Sequence, residues 1–297
     1  MRTAESGMLK AGRGGDVPAF AHVAIVGFGL IGASVARAAR RRWPDIRITA
    51  IDRDDVARAA IASRIVDVAG HELSLVGSAD LVVLAAPVLQ NITLLPQAAP
   101  LLKPGALVTD VGGTKRLMIA AAEALPIAFI GGHPMSGAAT AGQASARVDL
   151  FDGHPWILTP RVRHPRVEQL EDFVRGLGGV PHVMTAELHD RYIGIVSHLA
   201  QFSTSALMHV VGKLGGDMAL ELAGTGLRDS TRLASSPPQV WKEIAASNED
   251  VLRAGLDELI GVLGRLRDGL AAGDVIDETF TSAIRWREAL LRARGEE

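Results

Sequence analysis

Cysteine is absent from the 297 residues, which excludes a disulfide framework and any thiolate metal site. An excess of either charge is missing too. Lys and Arg total 31 against 33 Asp and Glu, a formal net charge of −2, so nothing draws the chain generally to nucleic acid or to an anionic membrane. No apolar run reaches membrane-spanning length without interruption, and the N-terminus lacks the apolar core of a signal peptide. The expectation is a soluble, cytoplasmic protein whose partner is a small molecule. With 48% hydrophobic residues it can bury a sizeable core, and its length suggests two domains.

Residues 1–21 carry glycine and charge with little periodicity, as a disordered leader does. The chain then turns to Gly27-Phe28-Gly29-Leu30-Ile31-Gly32, set behind the apolar run His22 to Val26 and in front of a helix-like segment, Ser34 to Arg42. In a G-x-G-x-x-G of this context the first glycine permits a tight strand-to-helix turn. The second lets backbone approach a pyrophosphate, and the third lets helix and strand pack closely. The helix start directs free N–H groups and its positive dipole end at the phosphates. A second β-like run, Arg47 to Ile51, ends in Asp52, about twenty residues past Gly32, where a carboxylate meets an adenosine ribose hydroxyl. Asp52 favours NAD. Arg53 beside it keeps NADP open, because a guanidinium can pair with a 2′-phosphate.

Strand and helix patterns alternate from His22 onward. Further strands are expected at Leu81 to Ala85, Ala106 to Thr109, Ala128 to Ile130, His154 to Pro160 and Val180 to Met184, with helices between most of them. Such alternation predicts a mostly parallel sheet with its ligand beyond the C-terminal strand ends. Three of those ends hold candidates. Ala86 and Pro87 leave room above the sheet for a cofactor, or simply stop the strand. Asp110 and Thr114, in Thr109-Asp110-Val111-Gly112-Gly113-Thr114-Lys115, either cap the next helix or belong to the site. His133, in Gly131-Gly132-His133-Pro134-Met135, has a ring suited to proton transfer, although a turn histidine would look the same. The small, polar stretch Ala138 to Asp152 reads as a loop over the site.

Beyond Thr185 every segment reads helical, giving a dinucleotide-binding domain at 22–184 and a helical domain at 185–297. A helix capped by Thr185 continues to about Val211 and carries His189 and His198. Nine positions apart on one α-helix, they fall on opposite faces and form no metal pair. Arg228 and Arg232 stand beside small and hydroxyl residues and precede Trp241. They suit a carboxylated ligand, or else pair with Asp229 and Glu243. Asn248 to Leu270 and Phe280 to Arg294 are amphipathic, with apolar faces available to this domain or to a second subunit.

Taken together, the glycine fingerprint, Asp110 to Lys115, Gly131 to Met135, Ser197-His198-Leu199 and Arg228 to Arg232 followed by Trp241 resemble the prephenate and arogenate dehydrogenase family of tyrosine biosynthesis. The resemblance implies a Rossmann-type mostly parallel sheet followed by an all-α dimerisation domain, and NAD(P)-dependent oxidative decarboxylation. It implies that His133 takes the proton of the substrate's ring hydroxyl, with His198 also at the catalytic centre. Arg232 would hold a substrate carboxylate while Trp241, with His198, shapes the site, and Thr114 and Arg228 would be further substrate contacts. Two positions depart from the family pattern. Serine is common where this chain has Gly113, with Thr114 or Ser136 available as substitute hydroxyls, and an acidic residue is common where it has Ala139. Two other readings stay open: a related Rossmann-plus-helical dehydrogenase or imine reductase, with Lys213 as its lysine, and a dinucleotide-binding protein without catalysis.

Overall fold

The computed structural model describes residues 17–137, 140, 142–161 and 165–295. Eight strands form one sheet in the order β3-β2-β1-β4-β5-β6-β7-β8. They are β1 His22–Val26, β2 Arg47–Ile51, β3 Val68–Gly70, β4 Leu81–Leu84, β5 Leu107–Asp110, β6 Ala128–Pro134, β7 Pro155–Pro160 and β8 Val180–Val183. All neighbours are parallel except β6 and β7. The strand order reverses at β1 and β4, which opens a crevice beyond their C-terminal ends. Every residue of β1, β4 and β5 is buried, because helices cover both faces of a parallel sheet and each strand can then be apolar throughout.

On one face Val23, Ile25 and Leu158 meet Ala36 and Phe173, and Trp43 stacks on Phe173 at 5.5 Å. On the other Val26, Val82 and Val108 meet Leu95 and Met118. The helices supplying these faces are α1 Leu30–Arg42, α2 Asp54–Ala62, α3 Val88–Ala98, α4 Arg116–Glu123 and α5 Val167–Gly176.

Two features depart from the sequence expectation. The three-residue β3 is too short to show a periodic pattern. Phe20, assigned to the leader, is 1% exposed and edge-packed on Phe173 at 5.7 Å, so the chain joins the core before β1. A buried phenylalanine is worth roughly 2 kcal/mol, which is reason enough for the segment to dock.

The rest is helical: α6 Ala186–Ile193, a π-helical turn at Gly194–Leu199, α7 Ala200–Glu221, α8 Thr225–Ser230, α9 Pro238–Ser247, α10 Glu249–Asp268 and α11 Asp274–Arg294. Thr185 caps α6, accepting from the Leu188 amide at 3.3 Å. The long helix expected from Thr185 to about Val211 is interrupted by the π turn, and α7 runs past that bound, kinked at Gly216, whose φ of 58° lies outside helical space. No helix among the described residues is long and apolar enough to cross a membrane.

Candidate active site

The fingerprint glycines sit where steric necessity puts them. Gly27 has φ +93°, and a Cβ there would come 2.5 Å from the Ala86 amide nitrogen. One on Gly32 would come 2.1 Å from the Gly27 carbonyl oxygen. Gly29, at the N-cap of α1, faces open space instead, with nothing within 4 Å of a built Cβ. Phe28 is core, and Leu30 and Ile31 pack against the same cluster. Asp52 stands at the tip of β2, its carboxylate accepting from the Phe28 amide at 2.6 Å and the Arg53 amide at 2.7 Å. Ala86 and Pro87 form the β4 exit. Asn91 donates to the Ala86 carbonyl at 2.9 Å, and Pro87 precedes the first turn of α3. An open cradle at a helix start, with a carboxylate fixed at the next strand tip, fits a dinucleotide. Arg53 turns outward, 80% exposed and 3.8 Å from Asp55.

His133 lies within β6 rather than after it, because antiparallel pairing with β7 extends the strand to Pro134, with His133 opposite Ile157. Its Nδ1 is 2.8 Å from His189 Nε2, and His189 Nδ1 is 2.7 Å from Asp190 Oδ1. Asp190 also accepts from the amides of Lys115 at 2.7 Å and Arg116 at 2.9 Å, and from Arg116 Nε at 3.2 Å. These donors, with His189, hold its carboxyl below the usual aspartate range against the opposing effect of burial.

An ionised carboxylate only accepts, so the hydrogen of His189 is on Nδ1 and its Nε2 accepts. His133 therefore donates from Nδ1 and presents a bare Nε2. Burial, then the neighbouring His189, Lys115 and His198, push His133 well below the ordinary histidine value. The ring is a neutral proton acceptor at neutral pH.

His198 is buried within the π turn. That turn re-phases the helix, so His198, expected on the face opposite His189, comes within electrostatic reach of His133, which His189 contacts directly. Asn248 ties His198 to Asp190, its Nδ2 donating to the Asp190 carbonyl at 2.8 Å and lying 3.4 Å from His198 Nδ1. With Nδ1 as the acceptor, the hydrogen of His198 is on Nε2, a buried atom without a hydrogen-bond partner among the described residues. The Trp241 ring stands 6.1 Å away, edge-on. Burial lowers His198 to about 4, against the pull of Asp190.

All three rings have folded-state values below their unfolded one, so the stability they confer is present above about pH 6.5 and lost as pH falls through the folded values. From His198 alone the loss approaches roughly 3 kcal/mol once pH is below its folded value. Thermal denaturation should show Tm falling between pH 7 and pH 4. A constant Tm over that range would contradict neutral burial of these rings.

Other expectations require correction. Neither Asp110 nor Thr114 caps α4; Asp190 of α6 does so through the Lys115 and Arg116 amides. Thr114 donates to Ser247 Oγ at 2.8 Å in the contact with α9, so its hydroxyl is engaged there. Ser136 Oγ is buried and unpartnered among the described residues. A Cβ on Gly113 would lie 4.0 Å from His133 Nε2 and 3.4 Å from Ile244 Cδ1, so glycine leaves room beside the bare nitrogen. Ala139 is outside the described residues.

Arg228 pairs with Asp229 at 3.2 Å in solvent and is not brought to the histidines. Glu243, the other candidate partner, instead accepts from the Leu89 amide at 3.2 Å at the start of α3. Arg232 is exposed on a 3-10 turn. Buried Gln201, one turn past His198, fastens that turn by donating to the Leu233 carbonyl at 2.8 Å and accepting from Ser236 at 3.2 Å. Lys213 is exposed in α7.

Sequence reasoning missed the roles of His189, Asp190, Lys115, Arg116 and Asn248. The adjacency of His189 and Asp190 at a helix start was their one available signal.

Two protein-family models match the chain: the prephenate dehydrogenase nucleotide-binding domain over residues 35–183, and the prephenate dehydrogenase dimerization domain over residues 185–282. The cyclohexadienyl dehydrogenase of Zymomonas mobilis is 32% identical over 282 residues, covering 91% of this chain and 96% of the relative. Among solved structures, prephenate dehydrogenase from Aquifex aeolicus in complex with hydroxyphenyl propionate and NAD+ superposes with a TM-score of 0.82 at 27% identity, covering 90% of this chain and 98% of that one. Arogenate dehydrogenase from Synechocystis superposes with a TM-score of 0.74 at 29% identity, covering 93% and 99%. With both halves matched in order and a full-length relative above 30% identity, the chain belongs to the prephenate dehydrogenase family.

Proposed function

We propose that this protein oxidises and decarboxylates prephenate or arogenate, passing hydride from ring C4 to NAD with loss of CO2. The observation that carries this reading is the bare Nε2 of His133, half-buried near the end of β6 and backed by His189 and Asp190. Bound NAD supplies the acceptor for the hydride, and Asp52 would hold its ribose diol.

As the C4 hydroxyl becomes a carbonyl, His133 Nε2 takes its proton. The imidazolium so formed shares charge with His189 through Nδ1–H, and Asp190 stabilises it. The carbon–carbon bond to the ring carboxylate then breaks, its electron pair completes the aromatic ring, and CO2 leaves. The phenolate oxygen recovers the proton from His133, so no net proton is released. His198 Nε2–H, a buried donor beside Trp241, supplies a contact for a substrate oxygen. Arg232, on the turn fastened by Gln201, holds a carboxylate. Aromatisation drives the step, so orientation and electrostatics are the site's main tasks.

Purified protein with NAD and either substrate should yield NADH and CO2 in equal amounts with a 4-hydroxyphenyl product. NADH binding without turnover of either substrate would favour the non-catalytic alternative. Arg232→Ala should raise KM roughly 10- to 100-fold, as expected for loss of a charge-assisted hydrogen bond, with kcat changed much less. An unaltered KM would remove Arg232 from the site.

The same reading includes a homodimer through the helical region. Leu214 and Met218 of α7 are 80% and 81% exposed, and Phe280 and Trp286 of α11 are 60% and 65% exposed, more apolar surface than a solitary subunit ordinarily leaves in water. Sedimentation at micromolar concentration should give twice the chain mass; a monomer would contradict this assembly.

A further inference from the structure

Directly behind the histidine pair lies a buried ion pair that the mechanism above does not use. Lys115 Nζ bonds to Asp110 Oδ2, with both side chains at most 1% exposed. Isolating two charges from water costs several kcal/mol each before their attraction is counted, and an apolar pair of similar shape would pack here without that cost. Space has been cleared for the lysine. A Cβ on Gly131 would come 3.1 Å from Lys115 Cδ. Asp110 in turn accepts from the Gly112 amide at 2.9 Å and, through Oδ1, from the Gly132 amide at 3.1 Å, immediately before His133. The lysine backbone amide meanwhile donates to Asp190. One residue thus touches the β5 exit, the β6 strand and the carboxylate that orients His189.

We propose that Lys115 is a positioning residue for the proton transfer: its buried ammonium, held by Asp110, keeps the His133–His189 pair uncharged, so that His133 meets the substrate hydroxyl as an acceptor. The charged and titratable groups around the pair are few. Asp110 comes from β5, Lys115 and Arg116 from the start of α4, His189 and Asp190 from α6, and His198 from the π turn. Arg116 is engaged by Asp190, Asn248 and Asp250, and Asp110 by Lys115. Without the ammonium, the buried Asp110 would stand near the pair with no cation of its own, Asp190 keeping Arg116, and an added proton would be held on the imidazoles. Lys115 acts on both rings in the direction this requires, lowering His133 and His189 alike.

The inference rests on the reading of His133 as the proton acceptor, and its test separates the two. Ring titration by NMR in the free protein, with no substrate present, should place the His133 midpoint about one pH unit higher in Lys115→Met than in the unaltered protein. The acid limb of kcat/KM should move with it, a roughly tenfold loss on the acid side that recovers at higher pH. Asp110→Asn with Lys115→Met leaves no buried charge of that pair uncompensated, which keeps a folded variant available. Its midpoint should fall between the other two. An unmoved midpoint in either variant, or a loss of activity equal at every pH, would overturn the proposal and leave the pair a structural tie. Moved midpoints in a protein inactive with both substrates would sustain the electrostatic role while removing the assigned reaction.

Discussion

His133→Asn should lower kcat by roughly 10²- to 10⁴-fold, the range of a lost general base, while leaving NAD affinity within a factor of about two. Asparagine can occupy the space and hydrogen-bond, but it cannot take a proton. The dinucleotide cradle is remote from the change. β4 and β5 separate β6 from β1, so the glycine turn lies about 14 Å from the histidine strand at the usual strand spacing. Steady-state turnover and NADH titration of the variant check the two halves of this expectation. A kcat within tenfold of the unaltered protein would end the role given to His133.

Asp190→Asn should be nearly as damaging to kcat and should also cost stability. The carboxylate accepts from His189 Nδ1, two backbone amides and Arg116 Nε. An amide offers one acceptor oxygen and places an NH2 group among those donors. If that NH2 faces His189, the ring hydrogen moves to Nε2 and collides with the Nδ1–H of His133, which must then carry its hydrogen on the substrate side. A base in the wrong tautomer costs roughly 10²- to 10⁴-fold. The start of α4 loses its anion, and the joint between sheet and helices loses a charge that Arg116 shares with Asp250 and Asn248. The combined cost should be about 2–3 kcal/mol, a fall in Tm of roughly 3–5 °C for a chain of this size. A folded variant with unchanged kcat would show that His133 needs no orienting chain.

The sheet was legible in the sequence because buried parallel strands read as continuous apolar runs, and β1 and β2 fall at their expected bounds. The glycine fingerprint was legible because the φ of Gly27 and the closeness of Gly32 to backbone tolerate no side chain. His133 stood out through its flanking glycines. Those glycines have packing reasons of their own: a Cβ on Gly131 would meet Thr159 Oγ1 at 2.3 Å, and one on Gly132 the Asp110 carbonyl oxygen at 2.5 Å.

The partners of His133 were not legible, since a helical wheel assumes one phase throughout. The π turn at Gly194–Leu199 breaks that phase, and it brings His198 beside the cluster that His189 already occupies. Lys115 stood out in the sequence only as the end of the Asp110 to Lys115 stretch, because nothing in its neighbours announces burial. Arg228 looked like a ligand residue for the opposite reason: composition cannot separate a guanidinium aimed at a substrate from one paired with the aspartate next to it.

The account stands on a neutral His133 with its lone pair on Nε2, and nitrogen-15 NMR of histidine-labelled protein observes that state directly. At pH 7 the His133 and His189 signals should be those of neutral rings protonated at Nδ1, that of His133 unchanged until the pH is well below the usual histidine range. An imidazolium at pH 7, or a neutral His133 protonated at Nε2, would contradict the account.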